Sequence, residues 1–149
     1  MASLRPRQQA QAQAVVESIE MEAALQAQPN PGAIETVAHL KRQGINLGLV
    51  TNNHRQAMHH TLQRLGLDFP LKLSREDGQS KPAPDLLLLA LQRLGCQADE
   101  ACFVGDGKYD HQASLAAGVA YIHLSHDLCP LEGVTTIFSL TQLPPLLIR

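Results

Sequence analysis

Short apolar runs alternate along most of the chain with segments whose apolar residues recur at helical spacing. The stretch 7–27, RQQAQAQAVVESIEMEAALQA, predicts a helix. It contains no breaker, Ala, Gln and Glu dominate, and Val15, Val16, Ile19 and Ala23 give it a modest apolar face. QPNPG then interrupts the chain, and Asn30 with Pro31 reads as the cap and first position of a second helix. Ile34, Val37, Ala38 and Leu40 form the face of that helix, and Gly44 closes it. An apolar strand, 45-INLGLV-50, ends in Thr51-Asn52-Asn53, and a helix over about 54–65 follows. Next come a weak strand at 71–74, the loop REDGQSKPAP, and a Leu-rich helix over about 85–94. The pattern continues with a strand at 101–105, a helix near 112–117, and strands at 119–124 and 135–139. A short C-terminal segment is interrupted by Pro144-Pro145.

Strands that alternate with helices at this spacing imply βαβ units: an α/β, Rossmann-like three-layer sandwich with a mainly parallel sheet. The strands lack polar alternation, as expected where helices cover both faces. In such sheets ligands bind beyond the carboxyl ends of the strands. The polar clusters fall there, Thr51-Asn52 after one strand and Asp106 to Asp110 after another.

Composition narrows the function. The 149 residues are enough for one domain with a real core, and 44% are hydrophobic. Tryptophan is absent and aromatics are few, so the core must be mostly Leu, Val, Ile and Ala. A net charge of −2 without a basic stripe argues against nucleic acid as a partner. No apolar run approaches the roughly 20 residues of a membrane span, and the polar start does not read as a secretory signal. Three cysteines without metal-site spacing suit reduced thiols in a cytoplasm.

Candidate chemistry lies in three places. Thr51 ends a strand, with Asn52 behind it; a hydroxyl and successive N–H groups at such a turn suit an anionic oxygen. The same residues would also serve as a plain helix cap. In 80-SKPAPD-85, Lys81 sits in a loop before a helix, where it can act as a point charge on a phosphoryl group or stay solvated. In 103-FVGDGKYD-110, Asp106 and Asp110 crowd two negative charges at a strand tip. Two such carboxylates can supply oxygen ligands to Mg²⁺, one of them through water, or Asp106 can cap a helix.

The order Thr, then Lys-Pro, then Gly-Asp-(x)₃-Asp resembles the haloacid dehalogenase superfamily of phosphohydrolases, and within it the phosphoglycolate-phosphatase-like branch. The likeness extends through PGAIETVAHLKRQGINLGLVTNN, KPAPDLLLLALQRLG and CFVGDGKYDHQASLAAGV, and covers residues 29 to about 140. The resemblance implies an incomplete core over 29–149, with residues 1–28 as the helical remnant of a small cap. It implies Thr51 and Lys81 as catalytic residues. It places Thr51, Asn52 and Lys81 on the phosphate, and Asp106 and Asp110 on Mg²⁺. The substrate would be a small phosphorylated metabolite such as phosphoglycolate.

The family's nucleophile motif, Asp-x-Asp-Gly-Thr at the end of the first strand, is missing. The aspartates are Asp68, Asp77, Asp85, Asp99, Asp106, Asp110 and Asp127, and none has a second Asp two residues on. The expectation is therefore a core that lacks its first strand, nucleophile and general acid/base, and that is inactive as it stands. Either the flanking strands close up or another segment fills the central place, including one exchanged with a second copy in a strand-swapped homo-oligomer. Two accounts of the missing motif stand open. In one, the chain is a truncated or misassigned product of a longer enzyme with roughly 40–50 further residues upstream, the length that a strand, loop and first cap helix require. In the other, it is a true short relative that binds or scaffolds without catalysis.

Other residues have plainer readings. His54 follows the Thr51 turn and His111 follows Asp110; both could reach the site, and a surface role is the simpler account. His123 and His126 flank a strand end and read as loop residues. Cys102 reads as core, without a partner base. Receiver-like modules also use Asp, Thr and Lys-Pro, but their acidic cluster comes first in the chain, whereas here Thr51 and Lys81 precede Asp106.

Overall fold

The computed structural model describes residues 14–19 and 32–147. The chain runs β1 (Ala14–Ile19), α1 (Ala33–Arg42), β2 (Asn46–Thr51), α2 (Arg55–Leu65), β3 (Leu71–Leu73), α3 (Asp85–Leu94) and β4 (Ala101–Gly105). It continues with α4 (Lys108–Ala117), β5 (Ala120–Leu124), β6 (Thr135–Ile137) and a short α5 (Pro144–Leu147). Single 3₁₀ turns occupy Ala98–Glu100 and Leu140–Gln142.

The six strands form one sheet in the order β3-β2-β1-β4-β5-β6, and every neighbouring pair is parallel. The strand order reverses between β1 and β4, which opens a crevice at their carboxyl ends. The α/β architecture is as the sequence implies, and the two faces are covered separately. In β4, Cys102 and Val104 join one apolar cluster, with Val37 and Leu40 of α1 and Met58 and Leu62 of α2. Ala101 and Phe103 join the other, with Leu86, Leu87 and Ala90 of α3 and Ala113 and Ala117 of α4. This period-two division of one strand between two cores makes the three layers. All five residues of β4 are buried, so it reads as a continuous apolar run.

One expected element is overturned. Residues 14–19 lie within the stretch expected to be a helix, and they form the central strand instead. β1 pairs with β2 from Ala14 opposite Asn46 to Ile19 opposite Thr51, and with β4 from Ala14 opposite Ala101 to Glu17 opposite Val104. Of the alternatives left open for the central place, the chain's own AVVESI fills it, and no second chain is required to complete the sheet. The physical reason is the demand of two flanking ladders. A parallel slot between β2 and β4 offers hydrogen bonds on both sides to a β-branched segment, and unpaired edges there would be costly. That gain outweighs the weak helix preference of the surrounding Ala and Gln. The rest of the expected helix, and the expected Asn30 cap, lie outside the described residues. α1 is capped at Gly32. α4 begins at Lys108, four residues before the expected start, because Gly107 takes the cap position and Asp110 accepts its N–H.

Candidate functional site

Three loops meet beyond the carboxyl ends of β2, β3 and β4. The first begins at Thr51, the last residue of β2, which is fully buried. Its hydroxyl accepts a hydrogen bond from the Asn53 N–H at 3.1 Å, which tightens the turn. His54 caps α2, its Nδ1 accepting from the Ala57 N–H at 3.1 Å, so its ring is engaged in the helix start.

Asn52 ties this loop to the second. Its Nδ2 donates to the Lys81 carbonyl at 3.1 Å, and its Oδ1 accepts from the Lys81 N–H at 2.9 Å. The amide side chain expected on a phosphate therefore grips the main chain of Lys81. The same loop is braced near its start, where Asp77 Oδ2 accepts from the Ser74 N–H at 2.8 Å and Asp77 Oδ1 meets the Arg55 guanidinium at 3.2 Å. Burial pushes the Asp77 carboxyl up, but the Ser74 hydrogen bonds and the Arg55 charge more than offset this and leave it below the usual range.

Lys81 reaches inward to the first turn of α4, which follows the third loop. Its Nζ donates to Asp110 Oδ1 at 2.5 Å, with side-chain exposures of 0% and 1%. It also lies 5.5 Å from the centre of the Phe103 ring. The solvated-loop reading of Lys81 is therefore set aside by its burial. Asp110 Oδ2 accepts from the main-chain N–H groups of Asp106, at 3.2 Å, and Gly107, at 3.3 Å. One carboxylate thus holds the lysine and folds its own loop. Gly105 makes room for it: a Cβ there would stand 2.6 Å from Asp110 Cβ and Oδ2.

Asp106 differs in character. Its side chain is 29% exposed, and Oδ2 lies 3.0 Å from His126 Nε2, on the loop after β5. Tyr121 fastens the same turn from β5, its hydroxyl donating to the Gly107 carbonyl at 3.3 Å and sharing a 3.1 Å hydrogen bond with His123 Nδ1. Burial, then the charges of Asp110 and Asp106, push the Tyr121 phenol up, which keeps it protonated as a donor. His111 stacks on the Tyr121 ring at 5.0 Å. Tyr121 and His126 were not singled out as site residues by sequence reasoning. The only available signal was the scarcity of aromatics, which makes a buried tyrosine on a strand notable.

The remaining candidates fall away from the site. Cys102 is fully buried, and burial pushes its thiol up to about 12, as a core cysteine requires. Tyr109 is half-exposed with the Lys108 ammonium over its ring.

The donors for a cation are limited. Among the described residues, no group of three or more His, Cys, Asp or Glu side chains is placed to hold a metal ion. Asp106 offers a partly exposed carboxylate, and Asp110 stands behind it with its oxygens in hydrogen bonds. That set fits a hard cation that keeps most of its water, as Mg²⁺ does on one or two carboxylates, and it does not fit a closed protein cage. Among the described residues, no helix is long and apolar enough to cross a membrane.

Comparison with known proteins gives consistent neighbours. The family described as haloacid dehalogenase-like hydrolase matches residues 2–124. The phosphoglycolate phosphatase of Escherichia coli (strain K12) is 35% identical over 108 residues, which is 70% of this chain and 39% of that protein. A crystal structure of a HAD-superfamily hydrolase, subfamily IA, variant 1, from Geobacter sulfurreducens superposes with a TM-score of 0.71 at 29% identity, covering 79% of this chain and 55% of that one. A HAD phosphatase from Thermococcus onnurineus gives 0.74 at 26% identity, covering 83% and 60%. The chain therefore spans 39% of the length of the phosphoglycolate phosphatase that it matches.

Proposed function

Since the chain belongs to the haloacid dehalogenase-like hydrolase family, we propose that its three loops bind the phosphate group of a small phosphorylated metabolite, with Mg²⁺, and that the chain as it stands does not turn it over. Thr51 and Lys81 are assigned to the phosphate. Lys81, buried against Asp110, holds its positive charge beneath the crevice on a main chain that Asn52 fixes. The turn at 51–53 places the Thr51 hydroxyl at the end of β2, and its hydrogen bond from the Asn53 N–H shapes the turn beside the crevice. Asp106, with Asp110 behind it, is assigned to Mg²⁺, which when bound would neutralise charge on the phosphate oxygens. Asp110 has a second duty, holding Lys81 Nζ in place.

The observation that carries this reading is the convergence of Asn52, Lys81, Asp106 and Asp110, from the loops after β2, β3 and β4 and the first turn of α4, through one chain of hydrogen bonds at the crevice of the sheet. The absence of turnover rests on the sequence. β1 occupies the central place, but the first aspartate of the chain is Asp68, so no Asp nucleophile comes from it. The same absence supports the second reading, a non-catalytic relative that uses this site for binding alone. The relatives named as phosphoglycolate phosphatases make phosphoglycolate the first ligand to try.

The test has two halves. Equilibrium dialysis with phosphoglycolate and Mg²⁺ should show saturable binding, weakened in Asp106→Asn. Para-nitrophenyl phosphate should not be hydrolysed by protein of verified mass. Turnover that is lost in Asp106→Asn would show that a nucleophile is present after all.

A further inference from the structure

We infer that His126 is a positioning residue for the cation site at Asp106, an inference that rests on the Mg²⁺ assignment above. His126 Nε2 lies 3.0 Å from Asp106 Oδ2 and reaches it from a different loop. An ionised carboxylate can only accept, so Nε2 carries the proton and donates it. The contact occupies one carboxylate oxygen. Among the described residues, none donates a hydrogen bond to the other oxygen, Oδ1.

The turn that presents His126 is itself braced. The Ser125 N–H donates to the Ile137 carbonyl at 2.9 Å, which ties the turn to the sheet. Asp127 Oδ1 accepts from the Ser125 hydroxyl at 2.8 Å and from the Cys129 N–H at 3.0 Å. Asp106 is fixed in its main chain by Asp110, but its side chain could still rotate about two bonds. His126 removes that freedom and commits Oδ2, so that Oδ1 is the oxygen presented to a ligand. Outer hydrogen-bond partners of this kind orient a ligating carboxylate, and their loss typically weakens metal binding by about 10–100-fold. The side chains are 52% and 29% exposed, so the pair contributes little to folding and its removal leaves the fold in place.

The experiment is Mn²⁺ binding to the full chain, followed by the electron paramagnetic resonance signal of the free ion. Wild type is compared with His126→Ala, His126→Gln and Asp106→Asn, each checked by thermal unfolding. His126→Ala should weaken binding by roughly 10–100-fold. His126→Gln, which keeps an N–H donor at similar reach, should stay within a few-fold of wild type, and Asp106→Asn should lose binding. If Asp106→Asn loses binding but His126→Ala binds as well as wild type or better, the inference is overturned and the cation assignment stands. If His126→Gln falls as far as His126→Ala, donation by His126 is not the cause and the inference is likewise overturned. If wild type and Asp106→Asn behave alike, the cation assignment itself fails and the inference fails with it.

Discussion

Lys81 and Asp110 meet at 2.5 Å with both side chains sealed from solvent. The pair joins the loop before α3 to the first turn of α4, and each partner leaves an uncompensated buried charge if the other is removed. Breaking such a pair costs about 3–5 kcal/mol, while replacing both partners by apolar groups of similar volume is far less harmful. Lys81→Met and Asp110→Leu should each lower the urea unfolding midpoint strongly, and the double variant should recover much of the loss. Additive losses in the double variant would show that the two side chains are not coupled.

Gly105 and Gly107 flank the same aspartate but differ in room. A Cβ at Gly105 would overlap Asp110 at 2.6 Å, whereas at Gly107 the nearest atom is 3.7 Å away. Gly105→Ala should therefore destabilise by roughly 1–3 kcal/mol, as overpacking does, and Gly107→Ala by about 1 kcal/mol or less, the cost of the poorer helix cap alone. Chemical denaturation of the two variants checks this. Equal effects would contradict the close approach of Asp110 to the end of β4.

His123 makes stability depend on pH. Burial holds its pKa below the usual value, outweighing the Asp106 and Asp127 charges that raise it, while His111 and His126 add to the depression. The folded state then binds fewer protons than the unfolded one, so stability rises with pH across this window. It is full above the unfolded value of about 6.5 and is lost as pH falls below that value toward the lower folded pKa. His123→Gln should flatten the profile of urea midpoint against pH between about 7 and 5, above the range where carboxylates titrate. An unchanged slope would assign that dependence to other groups.

Much of this was legible in the chain, for identifiable reasons. The glycines that close α2, α3 and α4 are Gly66, Gly95 and Gly118, all at positive φ, so the expected helix ends fell where the structure has them. The Leu-rich run of α3 and the apolar runs of β2 and β4 also announced themselves. AVVESI did not, because six residues are too few to separate a strand from a helix by periodicity, and its neighbours favour helix. Only the flanking ladders of β2 and β4 decide it. In the site, the residue types and their order pointed to Thr51, Lys81, Asp106 and Asp110. The grip of Asn52 on the Lys81 main chain, and the reach of His126 to Asp106, are tertiary contacts between loops, and no spacing in the sequence encodes them.

The central claim is that this chain binds phosphate together with Mg²⁺ in the crevice beyond the carboxyl ends of β2, β3 and β4. A ligand that binds only the folded state must stabilise it, by about 1.4 kcal/mol at a tenfold excess over Kd. The most direct measurement is thermal unfolding of wild type and Asp106→Asn with inorganic phosphate, with Mg²⁺, and with both. The account predicts a saturable rise in Tm for wild type that is largest with both ligands, and a loss of the Mg²⁺-dependent part in Asp106→Asn. No rise in wild type at any concentration of phosphate and Mg²⁺ would contradict it.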